Sequence, residues 1–561
     1  MAGTTALLVA CSLLAVLVTV KSAGSVDEHA HKARRNTREN GGAPEAEKNP
    51  QFWNNMAKNS IQDALQLQRN LKTKIAKNVV LFLGDGMGVV TVTSARILKG
   101  QKAGNPGEET VLNMETLPHV ALSKTYSIDA QTPDSASTAT AYLCGVKAPY
   151  ETVGLDGRAR HINCSSSKGT EVLSVLDWAE SAGKSTGIVT TARVSHATPA
   201  AAYAHSAYRG WEVDSVLTPE AVQNGCKDIS AQLVDDNPGI EVILGGGRAT
   251  FHAGADPEYP DDPRFNGVRS DGRDLVQDWL DGKTSARYVW NGTDFRTVNP
   301  QTTDYLLGLF EFSHMKYMTD REDSPSEEPT LAEMTRTAIQ ILQKNRNGFF
   351  LLVEGARIDH GHHEGKAVKA INEAVAFDDA VKVAKDLLNL DETLIIVTAD
   401  HAHTVSLGGW DTARGSPIFG KLNPDYFLAS LGLNIVPDGK PYTALQYGTG
   451  PGYNISSAFR ENVTNVNTAN PDYLQQSAVP MAEGSHGAED VAIFADGPMA
   501  HLFHGVHEQN YIAHVMKYAA CLGEYAEDCD REERVASGTA RGSFSTAAVL
   551  SSIFFQLVWW F

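Results

Sequence analysis

Residues 349–363, FFLLVEGARIDHGHH, and 393–403, TLIIVTADHAH, decide both the fold and the chemistry. Each opens on consecutive apolar or β-branched residues and runs straight into carboxylates and histidines. A strand apolar at every position buries both faces, as in a parallel sheet covered by helices on either side. The stretch NVVLFLGDGMG at 78–88 repeats the pattern, and GIVTTARVSHATPA at 187–200 varies it. Strands are expected over residues 78–83, 186–190, 241–244, 349–353, 393–397 and 491–494. Helices are expected over 55–71, 89–98, 171–181, 331–343 and 367–388. This alternation predicts a doubly wound α/β fold, mostly parallel, with two irregular insertions at 248–303 and 409–475.

Ligands of open α/β sheets bind beyond the carboxyl ends of the strands. There the sequence puts Asp85, Glu354, Asp359, His360, His363, Asp400, His401 and His403, with His196 and Thr198 in a following loop. His486 lies in AEGSHGAED, just before the last strand. So many carboxylates on one edge would repel one another unless cations sit between them. Mixed carboxylate and imidazole donors suit Zn²⁺, and all-oxygen sets suit Mg²⁺ or Ca²⁺. In TPDSASTATAYLCG, Ser135 is placed at the start of a helix, where N–H groups favour an anion. A serine hydroxyl needs a base or a metal to act as a nucleophile.

The 561 residues carry a net charge of −19, which excludes a nucleic-acid footprint. With 42% hydrophobic and 20% charged residues, a disordered chain is excluded as well. Residues 7–20 form an apolar run followed by small residues, so 1–24 read as a signal peptide and 25–48 as a leader. The apolar tail 546–561 follows the small residues 536–539 and a polar spacer. That order reads as a glycosylphosphatidylinositol (GPI) signal, residues 538–561 being removed and the lipid attached at Ser537. Outside the signal lie five cysteines, an odd number; Cys521 and Cys529 close a short loop and are expected to pair. Sequons stand at Asn163, Asn291, Asn454 and Asn462.

VLFLGDGMG, TPDSASTATA, VEGARIDHGHHE, TADHAH and AEGSHGAEDVAIFADGP together resemble the animal alkaline phosphatases, over residues 49–529. The resemblance implies a GPI-anchored, homodimeric ectoenzyme hydrolysing a broad range of small phosphate monoesters through a phosphoserine on Ser135. It implies one zinc on Asp359, His363 and His486, and a second on Asp85, Asp400, His401 and Ser135. Magnesium would take Asp85, Thr198 and Glu354. Calcium would take Glu258, Phe310, Glu311 and Glu328, the last a glutamate where the family has aspartate, within residues 248–330. Arg209 would grip phosphoryl oxygens, with His196 and His360 behind the metals. Residues 409–475 would form a crown, the 55–71 helix would cross the dimer, and Cys164 would pair with Cys226, leaving Cys144 free. A sulfatase would need a C/S-x-P-x-R motif, which PDSAS lacks. A diesterase would find the Arg209 position obstructive, and a purely adhesive glycoprotein would have no need of every core ligand.

Overall fold

The computed structural model describes residues 45–321, 324, 327–409, 412–422, 438–453 and 459–527. Its centre is a ten-stranded sheet. In chain order the strands are β1 (Asn78–Gly84), β2 (His119–Lys124), β3 (Ser185–Arg193), β4 (Val242–Gly246) and β5 (Ala286–Val289). They continue with β6 (Tyr305–Leu309), β7 (Phe349–Gly355), β8 (Thr393–Ala399), β9 (Val491–Asp496) and β10 (Gly505–Glu508). Across the sheet the order is β10-β2-β9-β8-β1-β7-β3-β4-β6-β5. Every strand runs the same way except β9, which is antiparallel to both β8 and β2.

The apolar runs do what their composition requires. On β1, Val79, Leu81 and Leu83 enter one core, while Val80 and Phe82 enter the other. β7 and β8 divide in the same way. One face is covered by the helices Ser135–Cys144, Val175–Ser181 and Tyr511–Ala520, the other by Val89–Lys102, Leu331–Leu342 and Ala367–Leu387.

Element boundaries differ from expectation for identifiable reasons. The helix expected from residue 171 starts at Val175, because Ser174 and Asp177 form a reciprocal capping box. The first long helix is Pro50–Arg69 rather than 55–71: Asn49 caps it by accepting from Gln51 N–H, and proline opens its first turn. None of its residues is buried, and Trp53, Met56, Ile61 and Leu65 are exposed. Four strands went unread. β2 and β10 lie at one edge, are half exposed and lack a continuous apolar run, and β5 closes the other edge from within the 248–303 insertion. β6 is apolar but only five residues long. In the 409–475 region, Lys421–Leu422 pairs with Tyr442–Thr443, and Leu445–Gly450 joins Val405–Leu407 and Ser477–Pro480 in a small sheet.

Cys164 and Cys226 form a disulfide, and Cys144 is free and buried. Cys521 is disulfide-bonded; Cys529, its expected partner, lies outside the described residues, as do Asn454, Ser537 and the two expected signals. No helix among the described residues is long and apolar enough to cross a membrane.

Phe377 packs edge-on against Phe82, with ring centroids 6.0 Å apart, and joins the Ala367–Leu387 helix to β1. Phe377→Ala is expected to cost about 3–5 kcal/mol of stability by cavity formation. Val120→Ala, on the exposed side of β2, should stay within about 0.5 kcal/mol. Denaturant melts of the two variants check this.

Candidate active site

The carboxyl edge of the sheet collects the expected residues. Asp85 follows β1, Glu354 lies in the last turn of β7, and Asp400 follows β8. The helix Arg357–His363 presents Asp359 and His363 one turn apart. His486 reaches the same edge because β9 is antiparallel: its start, not its end, lies there. The turn after β1 needs glycine at position 86, where φ is +65° and a Cβ would stand 2.7 Å from the His403 ring. Its N–H donates to Asp400 Oδ1 at 2.9 Å.

Several of these donors converge in groups that could hold cations. His363 Nδ1 donates to Gly484 C=O at 2.6 Å, and His486 Nδ1 donates to Pro133 C=O at 2.8 Å. A carbonyl only accepts, so each neutral ring carries its proton on Nδ1 and a lone pair on Nε2. Those two Nε2 atoms face each other at 2.9 Å, with Asp359 Oδ1 3.3 and 3.5 Å away. Two lone pairs and a carboxylate oxygen converging in this way form a zinc-like donor set. Asp85 Oδ2, Asp400 Oδ2 and Glu354 Oε1 are buried and have no hydrogen-bond partner. Asp85, Asp359 and His401 form a second convergent group.

Ser135 Oγ sits between these groups, 3.4 Å from Asp85 Oδ1 and 3.2 Å from His401 Nε2. It is the first residue of the buried Ser135–Cys144 helix. Asp134 caps that helix, its carboxylate accepting from the N–H groups of Ala136 and Ser137. The same carboxylate holds Arg209 Nη1 at 3.1 Å, and Arg209 Nη2 donates to His196 Nε2 at 3.1 Å. Asp134 thereby ties Arg209 to the start of the helix that Ser135 opens. Thr198 is buried, and its hydroxyl accepts from Tyr142 OH at 3.4 Å.

Burial and neighbouring carboxylates raise Asp85 well above its ordinary value. Burial pushes Glu354 up to about 7, against the Thr190 and Thr198 hydroxyls, and Asp400 to about 6. Burial also pulls His401 and His486 down to about 4, leaving them neutral and able to ligate. For Asp359 burial is outweighed by His363, His403 and His486, which hold it well below the carboxylate range.

The alkaline phosphatase family model matches residues 76–522. The chain belongs to the alkaline phosphatase family. It is 51% identical over 515 residues to the tissue-nonspecific alkaline phosphatase of Homo sapiens, covering 91% of this chain and 95% of that one. It is 53% identical to the alkaline phosphatase of Gadus morhua over 86% of this chain and 99% of that one. The alkaline phosphatase structure from Thermus thermophilus shares the fold, with a TM-score of 0.56 at 22% identity over 82% of this chain and 96% of that one. The alkaline phosphatase from the Antarctic bacterium TAB5 gives 0.54 at 23% over 81% and 100%.

Within this alkaline phosphatase site, the roles of Thr190 and His314 escape sequence reading, and His403, expected at this edge, takes a role that the sequence does not assign. His403 Nε2 donates to Asp359 Oδ1, and Thr190 Oγ donates to Glu354 Oε2 at 2.5 Å. His314 stacks beside His360 and His196, with centroids 4.2 and 5.2 Å away. Arg193, Arg209 and Arg357 donate to these three rings, so their lone pairs are already engaged. The TADHAH stretch places His403 at this edge without a role, whereas His314, in FSHMKY, has no such context.

Three of the calcium-type residues share one cleft. Phe310, Glu311 and Glu328 line a cleft of about 430 Å³ with Asp294 and Glu327, whereas Glu258 is not among its lining residues. Glu328 Oε1 is buried without a partner. Burial pushes Glu328 up to about 8, with Arg321 opposing and Glu311 adding to the rise.

The metal-free protein should lose stability between about pH 6.5 and 8. Glu354 and Asp85 titrate higher folded than unfolded, so their protonated forms stabilise the fold and that contribution is lost as pH rises through the folded value. The depressed histidines favour the fold as pH rises, but only up to their ordinary value near 6.5. Melting temperatures of chelator-treated protein across this window check it, and added zinc and magnesium should abolish the slope.

Proposed function

We propose that the chain hydrolyses phosphate monoesters by way of a phosphoserine on Ser135. What supports this reading is the position of Ser135 Oγ, within reach of Asp85 and His401, at the start of the helix whose capping carboxylate, Asp134, also holds the Arg209 guanidinium. The first zinc would be held by Asp359, His363 and His486, and the second by Asp85, Asp400, His401 and Ser135. Magnesium would be held by Asp85, Thr198 and Glu354. The orphaned oxygens of Asp85, Asp400 and Glu354 and the facing imidazole lone pairs fit these assignments. When bound, the ions would supply the positive charge that ionises the serine and balances the leaving oxygen.

The protein's own groups account for the rest. Arg209 offers a planar fork to two non-bridging phosphoryl oxygens, and Asp134 and His196 fix its orientation. The Ala136 and Ser137 N–H groups at the start of the serine helix hold the Asp134 carboxylate, which in turn steadies the Arg209 fork. Ser135 attacks phosphorus in line, the alcohol leaves, and water hydrolyses the phosphoserine. Recognition is confined to the phosphoryl group, so many alcohols are accepted.

Glu258, the Phe310 carbonyl, Glu311 and Glu328 would form a calcium site. The mature chain would extend over residues 49–529 with a crown at 409–475, Cys521 paired with Cys529, and glycans on Asn163, Asn291, Asn454 and Asn462. A GPI lipid at Ser537 would hold it on the outer cell surface. A homodimer supports itself on the exposed apolar residues of the Pro50–Arg69 helix.

Ser135→Ala should abolish steady turnover of para-nitrophenyl phosphate and acid-stable labelling by phosphate, with zinc content unchanged. Labelling that persists in this variant would sink the covalent route. Arg209→Ala should raise the inhibition constant of phosphate by about ten- to a hundredfold, a charge-assisted pair being worth ~1.5–3 kcal/mol. It should also depress kcat/KM for monoesters far more than for diesters, since a diester lacks the second free oxygen. Equal losses would make Arg209 structural.

A further inference from the structure

Five described non-glycine residues have a positive φ, and one of them, Glu151 at +59°, is bonded directly to the phosphate grip. Its N–H donates to Asp134 Oδ1 at 2.8 Å, and its C=O accepts from Arg209 N–H at 2.9 Å. A residue with a Cβ is disfavoured in this left-handed conformation, so the surroundings must hold it there. They do so from the side-chain end. Glu151 Oε2 lies 2.8 Å from His161 Nε2. The His161 ring meets Tyr208 edge-on, with centroids 5.2 Å apart, and Tyr208 precedes Arg209 in the chain. The brace therefore closes on itself, from Glu151 through His161 and Tyr208 back to Arg209.

We infer that Glu151 is a positioning residue for phosphate recognition: its left-handed backbone ties the Asp134 carboxylate and the Arg209 main chain into one rigid unit. The inference rests on the reading of Arg209 as the phosphoryl grip. Asp134 accepts from Glu151, Ser137, Ala136 and Arg209, and so fixes the start of the serine helix and the guanidinium together. If the residue at 151 relaxes to a negative φ, both of its backbone bonds break and Arg209 loses its register relative to Ser135. The function of Glu151 thus lies in its backbone, and its carboxylate serves only to hold that backbone in place.

The test compares Glu151→Gly, which tolerates positive φ, with Glu151→Val, whose branched Cβ does not. The full-length, zinc-loaded protein is used, with inorganic phosphate as the probe. Glu151→Val is expected to raise the phosphate inhibition constant about tenfold, the size of a left-handed penalty. It should also lower the ratio of monoester to diester kcat/KM, with zinc content unchanged. Glu151→Gly should keep the phosphate constant within about twofold of the parent. If the valine variant fails to fold, Glu151→Ala replaces it, with a smaller rise expected. Equal losses in the glycine and branched variants would place the effect in the carboxylate and overturn the inference, as would an unchanged constant in the valine or alanine variant. Failure of the parent reading would be seen separately, as a phosphate constant indifferent to Arg209→Ala.

Discussion

Uncompensated negative charge at the carboxyl edge of the sheet is the constraint on which the rest of the structure depends. Asp85, Glu354 and Asp400 are fully buried, and each has an oxygen without a partner. Desolvating ionised carboxylates without compensation costs several kcal/mol each, so such a cluster must either take up protons, toward which Asp85 and Glu354 are shifted, or be neutralised by cations. The two imidazole lone pairs of His363 and His486 impose the same demand in a second form. The apolar strands behind them supply the rigidity: β1, β7 and β8 are neighbours, buried on both faces, and cannot shift to relieve the repulsion.

Under the proposed reading, the same edge would recognise a substrate through its phosphoryl group. Ser135 and Arg209 come from different segments, and Asp134 holds both, capping the helix that begins at Ser135 while orienting the guanidinium. An anion arriving at this point meets a helix start, a fixed fork and whatever cations the carboxylates retain. None of these features addresses the alcohol.

Much of this was legible in the sequence, because the decisive runs couple strand and site. FFLLVEG and TLIIVTADHAH announce a buried parallel strand and its ligands in one stretch, and the structure brings Asp85, Ser135, Asp359, His363, Asp400, His401 and His486 together as the resemblance implied. What stayed hidden had no local signature. β10 is an edge strand and β2 its neighbour, and neither has a continuous apolar run. His314 and Thr190 act through contacts across more than a hundred residues, or across the sheet. The left-handed backbone of Glu151 could not be read, because glutamate gives no sign of positive φ. Glu311 and Glu328 line one cleft with Asp294, and Glu258 feels the Asp294 charge, a grouping drawn from distant segments that composition does not encode.

Diffraction from crystals of the holoprotein on either side of the zinc absorption edge tests the central claim most directly. The account predicts two anomalous peaks per chain, one bounded by Asp359, His363 and His486 and the other by Asp85, Asp400 and His401 beside Ser135. It also predicts that the His363 and His486 Nε2 atoms move apart from their 2.9 Å approach to admit the ion. An absence of anomalous density between these residues in active protein would contradict it.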